Sequence, residues 1–313
     1  MKLCFNLLIC VWGTHADGIP MICMRARARR WELKMKYFEF VPEGTGAKSW
    51  SVTAYLQTEV DGEESQPHPF PAVVVCPGGG YEQVAPREAE PVAKPYFAAG
   101  YHVFVVDYPV EEGAKDFGPL MQVAAVMAHI RRNAGKWMVD TGRIAICGFS
   151  AGGHLAASMG TLYREKKFLE AVRMQGYDWS EEQIRPDAMI LSYPVILANE
   201  YAHKGSLLWV SGAEEGSEEY QYFGLDQHVD GDTPPAFLWH TAEDTCVPVE
   251  NSLYFAAALS AAKVPFELHI LPEGEHGMSV CTKEVGTEDA YNGRWVEWSI
   301  RWLERVFYGK GDA

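Results

Sequence analysis

The stretch Arg143-Ile144-Ala145-Ile146-Cys147-Gly148-Phe149-Ser150-Ala151-Gly152-Gly153 decides how the chain is read. Residues 143–147 are a short apolar run of strand length. Residues 151–162 are small and helix-compatible. Between them lies Gly-x-Ser-x-Gly. A strand that turns directly into a helix must bend sharply, and the residue at the apex is strained. Glycines two before and two after that residue remove the side chains that would clash. Ser150 Oγ is then held above the C-terminal edge of a sheet. The N–H of Ala151, at the helix start, aims where an oxyanion would form.

The flanking pattern extends outward from this turn. Residues 37–41 and 50–57 alternate like half-exposed strands. Residues 71–76 (PAVVVC) form a continuous run expected of a strand buried on both faces. Residues 101–108, 188–193, 236–240 and 266–271 read as further strands. Helices are expected at 88–99, 117–134, 151–162, 251–262 and 294–307, with Pro91 and Pro95 blurring the start of the first. Strands alternating with helices mean an α/β fold: a mainly parallel sheet with helices on both faces. Residues 194–232 break the pattern with glutamates amid Gly and Ser. The plain reading is a solvated insertion; the alternative is a small cap, with Trp209, Tyr220, Tyr222 and Phe223 lining a pocket.

A serine hydroxyl needs a base. In this architecture acid and histidine follow the serine in chain order. Asp244 lies just past the 236–240 strand, and His276 just past the 266–271 strand. Both are strand ends where open α/β sheets build their sites. His276 would take the Ser150 proton, and Asp244 would orient the imidazole; Glu243 is a rival acid. Pro77-Gly78-Gly79-Gly80-Tyr81 follows the first buried strand. Its glycines allow close backbone approach, so Gly79 and Gly80 join Ala151 as candidate oxyanion-hole donors. No Gly-Lys-Ser/Thr or G-x-G-x-x-G accompanies it, which argues against a phosphate loop. Tyr81 and Glu90 are candidate substrate contacts, Glu90 with a local ion pair as its simpler role. His154, His240, His269 and His102 read as structural. H-E-x-x-H is absent, and Glu273, Glu275 and His276 are too close in one loop to converge on a metal alone. No metal and no cofactor are expected.

The 313 residues are 48 % apolar and 22 % charged, with a net charge of −15. That composition belongs to a folded globule, and the acidity argues against nucleic acid. Charge is uneven: residues 1–34 carry +4 and residues 35–313 carry −19. The first segment reads as a signal peptide, a loose extension or a mis-called start with the true one at Met35. Residues 35–313 read as one domain. Seven cysteines, none spaced C-x-x-C, do not make a disulfide scaffold, and Cys76 and Cys147 read as buried free thiols.

With Ser150, Asp244, His276 and the glycine loop assembled, the chain resembles the α/β-hydrolase superfamily. More narrowly it is similar to the bacterial esterase/lipase group that includes acetyl-xylan esterase-like proteins. The resemblance is carried by PGGGY, by Arg87-Glu88-Ala89-Glu90-Pro91-Val92-Ala93, by GFSAGGHLA at 148–156, and by residues 233–252. It implies a cofactor-free Ser-His-Asp esterase that removes small acyl groups, often acetyl, from carbohydrates or model esters. Cys76-Pro77 before the glycines departs from the His-Gly-Gly-Gly of hormone-sensitive-lipase-like relatives. The expected partner is a small ester, an acetylated oligosaccharide foremost, with no nucleic acid and no membrane; many relatives self-associate, so a homo-oligomer is open. Localisation reads as cytoplasmic, or secreted if residues 1–16 act as a signal peptide. Two rival functions remain: a prolyl-oligopeptidase-like peptidase or amidase, and a non-catalytic binding protein on the same fold.

Overall fold

The computed structural model describes residues 9–14, 20–24, 36–42, 50–58 and 68–309. The chain divides into two compact units, residues 1–34 and 35–313. In the first, β1 (Ile9–Thr14) pairs antiparallel with β2 (Pro20–Met24). The Arg/Ala stretch at 25–30 and Met35 lie outside the described residues.

The second unit is built on one eight-stranded sheet. Its strands are β3 (Lys36–Phe40), β4 (Ser51–Leu56), β5 (Phe70–Cys76) and β6 (His102–Asp107), then β7 (Val139–Phe149), β8 (Ala188–Ser192), β9 (Ala236–Thr241) and β10 (Phe266–Leu271). Their spatial order is β10-β9-β8-β7-β5-β6-β4-β3. β4 runs antiparallel to both β3 and β6, and every other pair is parallel.

Alternation along the strands explains why both faces are covered. On β5, Ala72, Val74 and Cys76 enter one core layer while Val73 and Val75 enter the other. On β7, Ile144 and Ile146 oppose Ala145, Cys147 and Phe149 in the same way. Helices Gly118–Arg132, Ala151–Thr161 and Glu250–Ala261 supply the first layer. Helices Glu90–Ala98 and Trp295–Tyr308 supply the second. A strand buried on both sides shows no polar alternation, which is why β5 reads as an unbroken apolar run. Cys76 and Cys147 are buried and free, and burial pushes both thiols up.

Two boundaries differ from the pattern reading. β7 spans 11 residues because its first part pairs with Phe70 across a register shift. Thr141 and Gly142 there are exposed, so only the apolar second half carries a strand signal. The helix expected from residue 88 begins as a 3₁₀ turn, Pro86–Glu88, and becomes α-helical at Glu90. Pro91 sits in its first turn, where a missing N–H costs nothing.

The topology also sets where a site can form. The loop leaving β5 leads to a helix on one face, and the loop leaving β7 leads to a helix on the other. β5 and β7 are neighbours, with Cys76 paired to Gly148 at their C-terminal ends. A crevice opens where adjacent strands send their chains to opposite faces. The glycine loop and the Ser150 turn therefore share one crevice mouth.

Candidate active site

Ser150 sits between β7 and the helix Ala151–Thr161 with φ 53° and ψ −118°, a conformation that L-residues seldom adopt. Three backbone bonds hold it there. Its N–H donates to Ser192 O at 3.0 Å, and its carbonyl accepts from His154 N at 3.0 Å and Val195 N at 3.1 Å. The helix can begin so abruptly only because Gly152 lacks a side chain. A Cβ there would overlap the carbonyl oxygens of Cys76 and Pro77. Gly152→Val is expected to destabilise the domain by roughly 3 kcal/mol, the upper end of ordinary overpacking costs, because backbone cannot retreat as a side chain can. Urea denaturation of purified protein measures this; an unchanged midpoint would mean that the turn relaxes freely.

His276 reaches Ser150 from the loop after β10. Its Nε2 lies 2.8 Å from Ser150 Oγ, and its Nδ1 lies 2.6 Å from Asp244 Oδ2. Asp244 is 6 % exposed, and its Oδ1 accepts from Cys246 N at 3.0 Å and Val247 N at 2.9 Å. Burial alone would push this carboxyl up. Hydrogen bonds from His240 and His276, the His276 charge and the Val247 N–H outweigh it and hold the group well below the usual carboxylate range. Glu243 turns away: its Oε2 accepts from Gly274 N at 3.3 Å on the exposed surface.

The glycine loop crosses directly over Ser150. A Cβ on Gly78 would lie 3.0 Å from Ser150 Cβ. Gly79 and Gly80 have φ of 126° and 71°, which favours glycine at both. The N–H of Gly78 is committed to Glu88 Oε2 at 2.7 Å. Ala151 is the first residue of its helix, so its amide has no acceptor within the helix.

Tyr81 is not placed to contact a substrate. Its ring is fully buried, and its hydroxyl bonds His154 Nδ1 at 2.9 Å. His154 Nε2 lies 3.0 Å from Phe223 O, so Nε2 carries the proton and Nδ1 accepts from Tyr81. Burial lowers the His154 pKa to about 4, which keeps it neutral. The place of Tyr81 directly after the glycines suggests the site, but a large apolar ring there is better buried than wet. Glu90 is exposed at a helix start and pairs with Lys94 Nζ at 3.6 Å, the simpler of its two anticipated roles.

The segment 194–232 is more embedded than a solvated insertion. It contains helices Lys204–Ser211 and Glu218–Tyr222, and Leu207, Tyr220, Phe223 and Leu225 are buried in the main core. Tyr220 and Phe223 therefore do not line an open pocket. Trp209 Nε1 donates to Glu82 Oε1 at 3.2 Å, tying this segment to the residues after the glycine loop. Its His203 is half-buried and within electrostatic reach of His276, Glu82 and Asp244, and burial first and His276 second lower its pKa.

Four residues near the site escaped pattern reading. Glu88 is indistinguishable in sequence from Glu90 two positions on. Tyr193 looks like the end of an apolar strand. His203 falls in the segment without periodicity. His240 reads as a strand residue, yet its Nε2 lies 3.3 Å from Asp244 Oδ2 and 2.9 Å from Val247 O, and its Nδ1 2.8 Å from Ser252 Oγ. Its only sequence signal is lying four residues before Asp244. Among the described residues, no three His, Cys, Asp or Glu side chains are grouped to hold a metal ion. No helix among them is long and apolar enough to cross a membrane.

Residues 60–259, which hold the glycine loop, the Ser150 turn and Asp244, match the BD-FAE family. The chain belongs to the BD-FAE family. It is 36 % identical over 215 residues to an endo-1,4-beta-xylanase B of Butyrivibrio fibrisolvens, covering 68 % of this chain and 33 % of that one. It is 29 % identical over 252 residues to an acetylxylan esterase of Xylanibacter ruminicola, covering 77 % and 47 %. The chain thus spans a third to about half the length of these two relatives. Among solved structures it is similar to an acetyl ester-xyloside bifunctional hydrolase from Caldicellulosiruptor lactoaceticus, at 34 % identity and a TM-score of 0.70 over 84 % of this chain and 89 % of that one. The BD-FAE chain is thus an α/β-hydrolase resembling acetylxylan esterases.

Proposed function

We propose that the chain is a serine esterase that hydrolyses short acyl esters, with acetyl esters of carbohydrates as its substrate class. The observation that carries this reading is the unbroken hydrogen-bonded series Ser150 Oγ, His276 Nε2, His276 Nδ1, Asp244 Oδ2. The acetyl preference is supported by the likeness to an acetylxylan esterase and to an acetyl ester-xyloside hydrolase.

In this mechanism Ser150 Oγ attacks the ester carbonyl while His276 Nε2 takes its proton. The carbonyl oxygen becomes an oxyanion, held by amides of Ala151 and of Gly79 or Gly80. Collapse of the tetrahedral species breaks the bond to the alcohol oxygen, and His276 returns the proton to it. A water then attacks the acyl-enzyme with His276 as base, releasing the acid and restoring Ser150. Asp244 holds Nδ1 protonated throughout and stabilises the imidazolium. The strongly acidic body repels anionic interfaces and suits a neutral, polar substrate.

The protein is expected to hydrolyse p-nitrophenyl acetate with a higher kcat/KM than the octanoate, and to release acetate from acetylated xylo-oligosaccharides. Octanoate preference would remove the short-acyl assignment. Failure to cleave any of these esters would overturn the esterase reading.

A further inference from the structure

Glu88 is an acidic side chain 2 % exposed, and among the described residues it makes no ion pair. Burying a carboxylate is costly unless its oxygens are satisfied. Both are. Oε2 accepts from Gly78 N at 2.7 Å, and Oε1 accepts from Tyr193 Oη at 2.7 Å. Tyr193 Oη in turn accepts from Ser279 N at 2.9 Å. Ser279 Oγ closes the circuit by donating to Arg87 O at 2.6 Å. The Tyr193 backbone is held at φ 36°, and its ring stands edge-on to the His276 ring at 5.0 Å between centroids.

This circuit joins two loops that do not touch in sequence. One carries the glycines, and the other carries His276. At the glycine end, the Pro77–Gly78 peptide is fixed at both poles: Tyr108 Oη donates to Pro77 O at 2.5 Å, and Glu88 accepts from Gly78 N. The next two carbonyls are also taken. Gly78 O accepts from Ala85 N at 2.9 Å, and Gly79 O accepts from Glu82 N at 3.0 Å and Gln83 N at 3.1 Å. In a trans peptide the N–H points opposite the carbonyl. Fixing these planes therefore aims the Gly79 and Gly80 amides, and Glu88 anchors the first plane of the series.

We propose that Glu88, with Tyr193, is a positioning pair that sets the direction of the oxyanion-loop amides and couples that loop to the His276 loop. The catalytic part of this proposal rests on the esterase reading; the coupling of the loops does not. An apolar residue at 88 would leave the Gly78 N–H and the Tyr193 hydroxyl buried without an acceptor. The carboxylate accepts both at a fixed separation, which a side chain that only filled space could not do.

The test uses the full chain with Glu88→Gln, Tyr193→Phe and the double variant. Tyr193→Phe removes a single oxygen, so it keeps the test alive if Glu88→Gln folds poorly. Each single variant is expected to lose ~10- to 100-fold in kcat for p-nitrophenyl acetate with KM nearly unchanged, since misplacement by about an ångström costs that much. The double variant should lose less than the product of the two. Hydrogen–deuterium exchange should show faster exchange at residues 78–85 and at 276–281 together. A kcat within twofold of the parent in folded single variants would overturn the catalytic role. Exchange that changes in one loop alone would overturn the coupling. A parent protein that cleaves no ester defeats the esterase reading instead, and exchange still decides the coupling.

Discussion

Ser150→Ala is expected to lower kcat for p-nitrophenyl acetate by on the order of 10⁶, the loss seen when a working triad loses its nucleophile. The structure gives the reason for so large an effect. His276 Nε2 has Ser150 Oγ as its partner at 2.8 Å, and alanine leaves that base with nothing to deprotonate. What remains is an oxyanion site and a binding surface, which retain only residual catalysis. Stability should barely move, because one hydrogen bond contributes about 1 kcal/mol net. His276→Ala is expected to cost as much as Ser150→Ala, and the double variant no more than either, because the residues act as one unit. Equal rates for Ser150→Ala and the parent would show that the ester is cleaved elsewhere.

Much of this site was legible because its strongest constraints are local. The Ser150 turn needs glycine at 152 to clear two carbonyl oxygens, and that requirement is written in one short motif. The strand before Asp244 is buried throughout, and the half-buried edge strand before His276 is still mostly apolar, so both read as strands and the residues just past them could be named. The residues that escaped are those whose meaning depends on chain separation. Glu88 and Glu90 look alike in sequence. Only the fold places Glu88 against Gly78 and Tyr193, the latter 105 residues away, while Glu90 turns to Lys94. The burial of Tyr81 is hidden in the sequence for a related reason. Its neighbours in sequence belong to the site, but its hydroxyl partner His154 is 73 residues on, and burial of the ring fixes its direction. The 194–232 segment shows no single period because its apolar residues come from short helices that meet the core at separate points.

Asp244→Asn is expected to lower kcat by ~10⁴ while leaving the protein folded. Both carboxylate oxygens are engaged: Oδ1 accepts from the Cys246 and Val247 amides, and Oδ2 faces His276 Nδ1 and His240 Nε2. In the asparagine variant the carbonyl oxygen must stay with the two amides. The NH₂ group is then left facing both imidazoles. An NH₂ facing Nδ1 of His276 requires that nitrogen to accept, which moves the ring proton to Nε2. A protonated Nε2 cannot take the proton of Ser150, so the chain of transfers fails at its first step. The same variant reports on stability. A carboxyl held below its unfolded value of about 3.9 contributes stability that is complete above that value and lost as pH falls through the folded value. The parent should therefore lose stability relative to Asp244→Asn as pH is lowered below about 4. Urea midpoints at pH 7 and pH 3.5 measure the difference. Parallel shifts in both proteins would mean that Asp244 is not held as an anion, and a kcat within tenfold of the parent would remove it as the orienting acid.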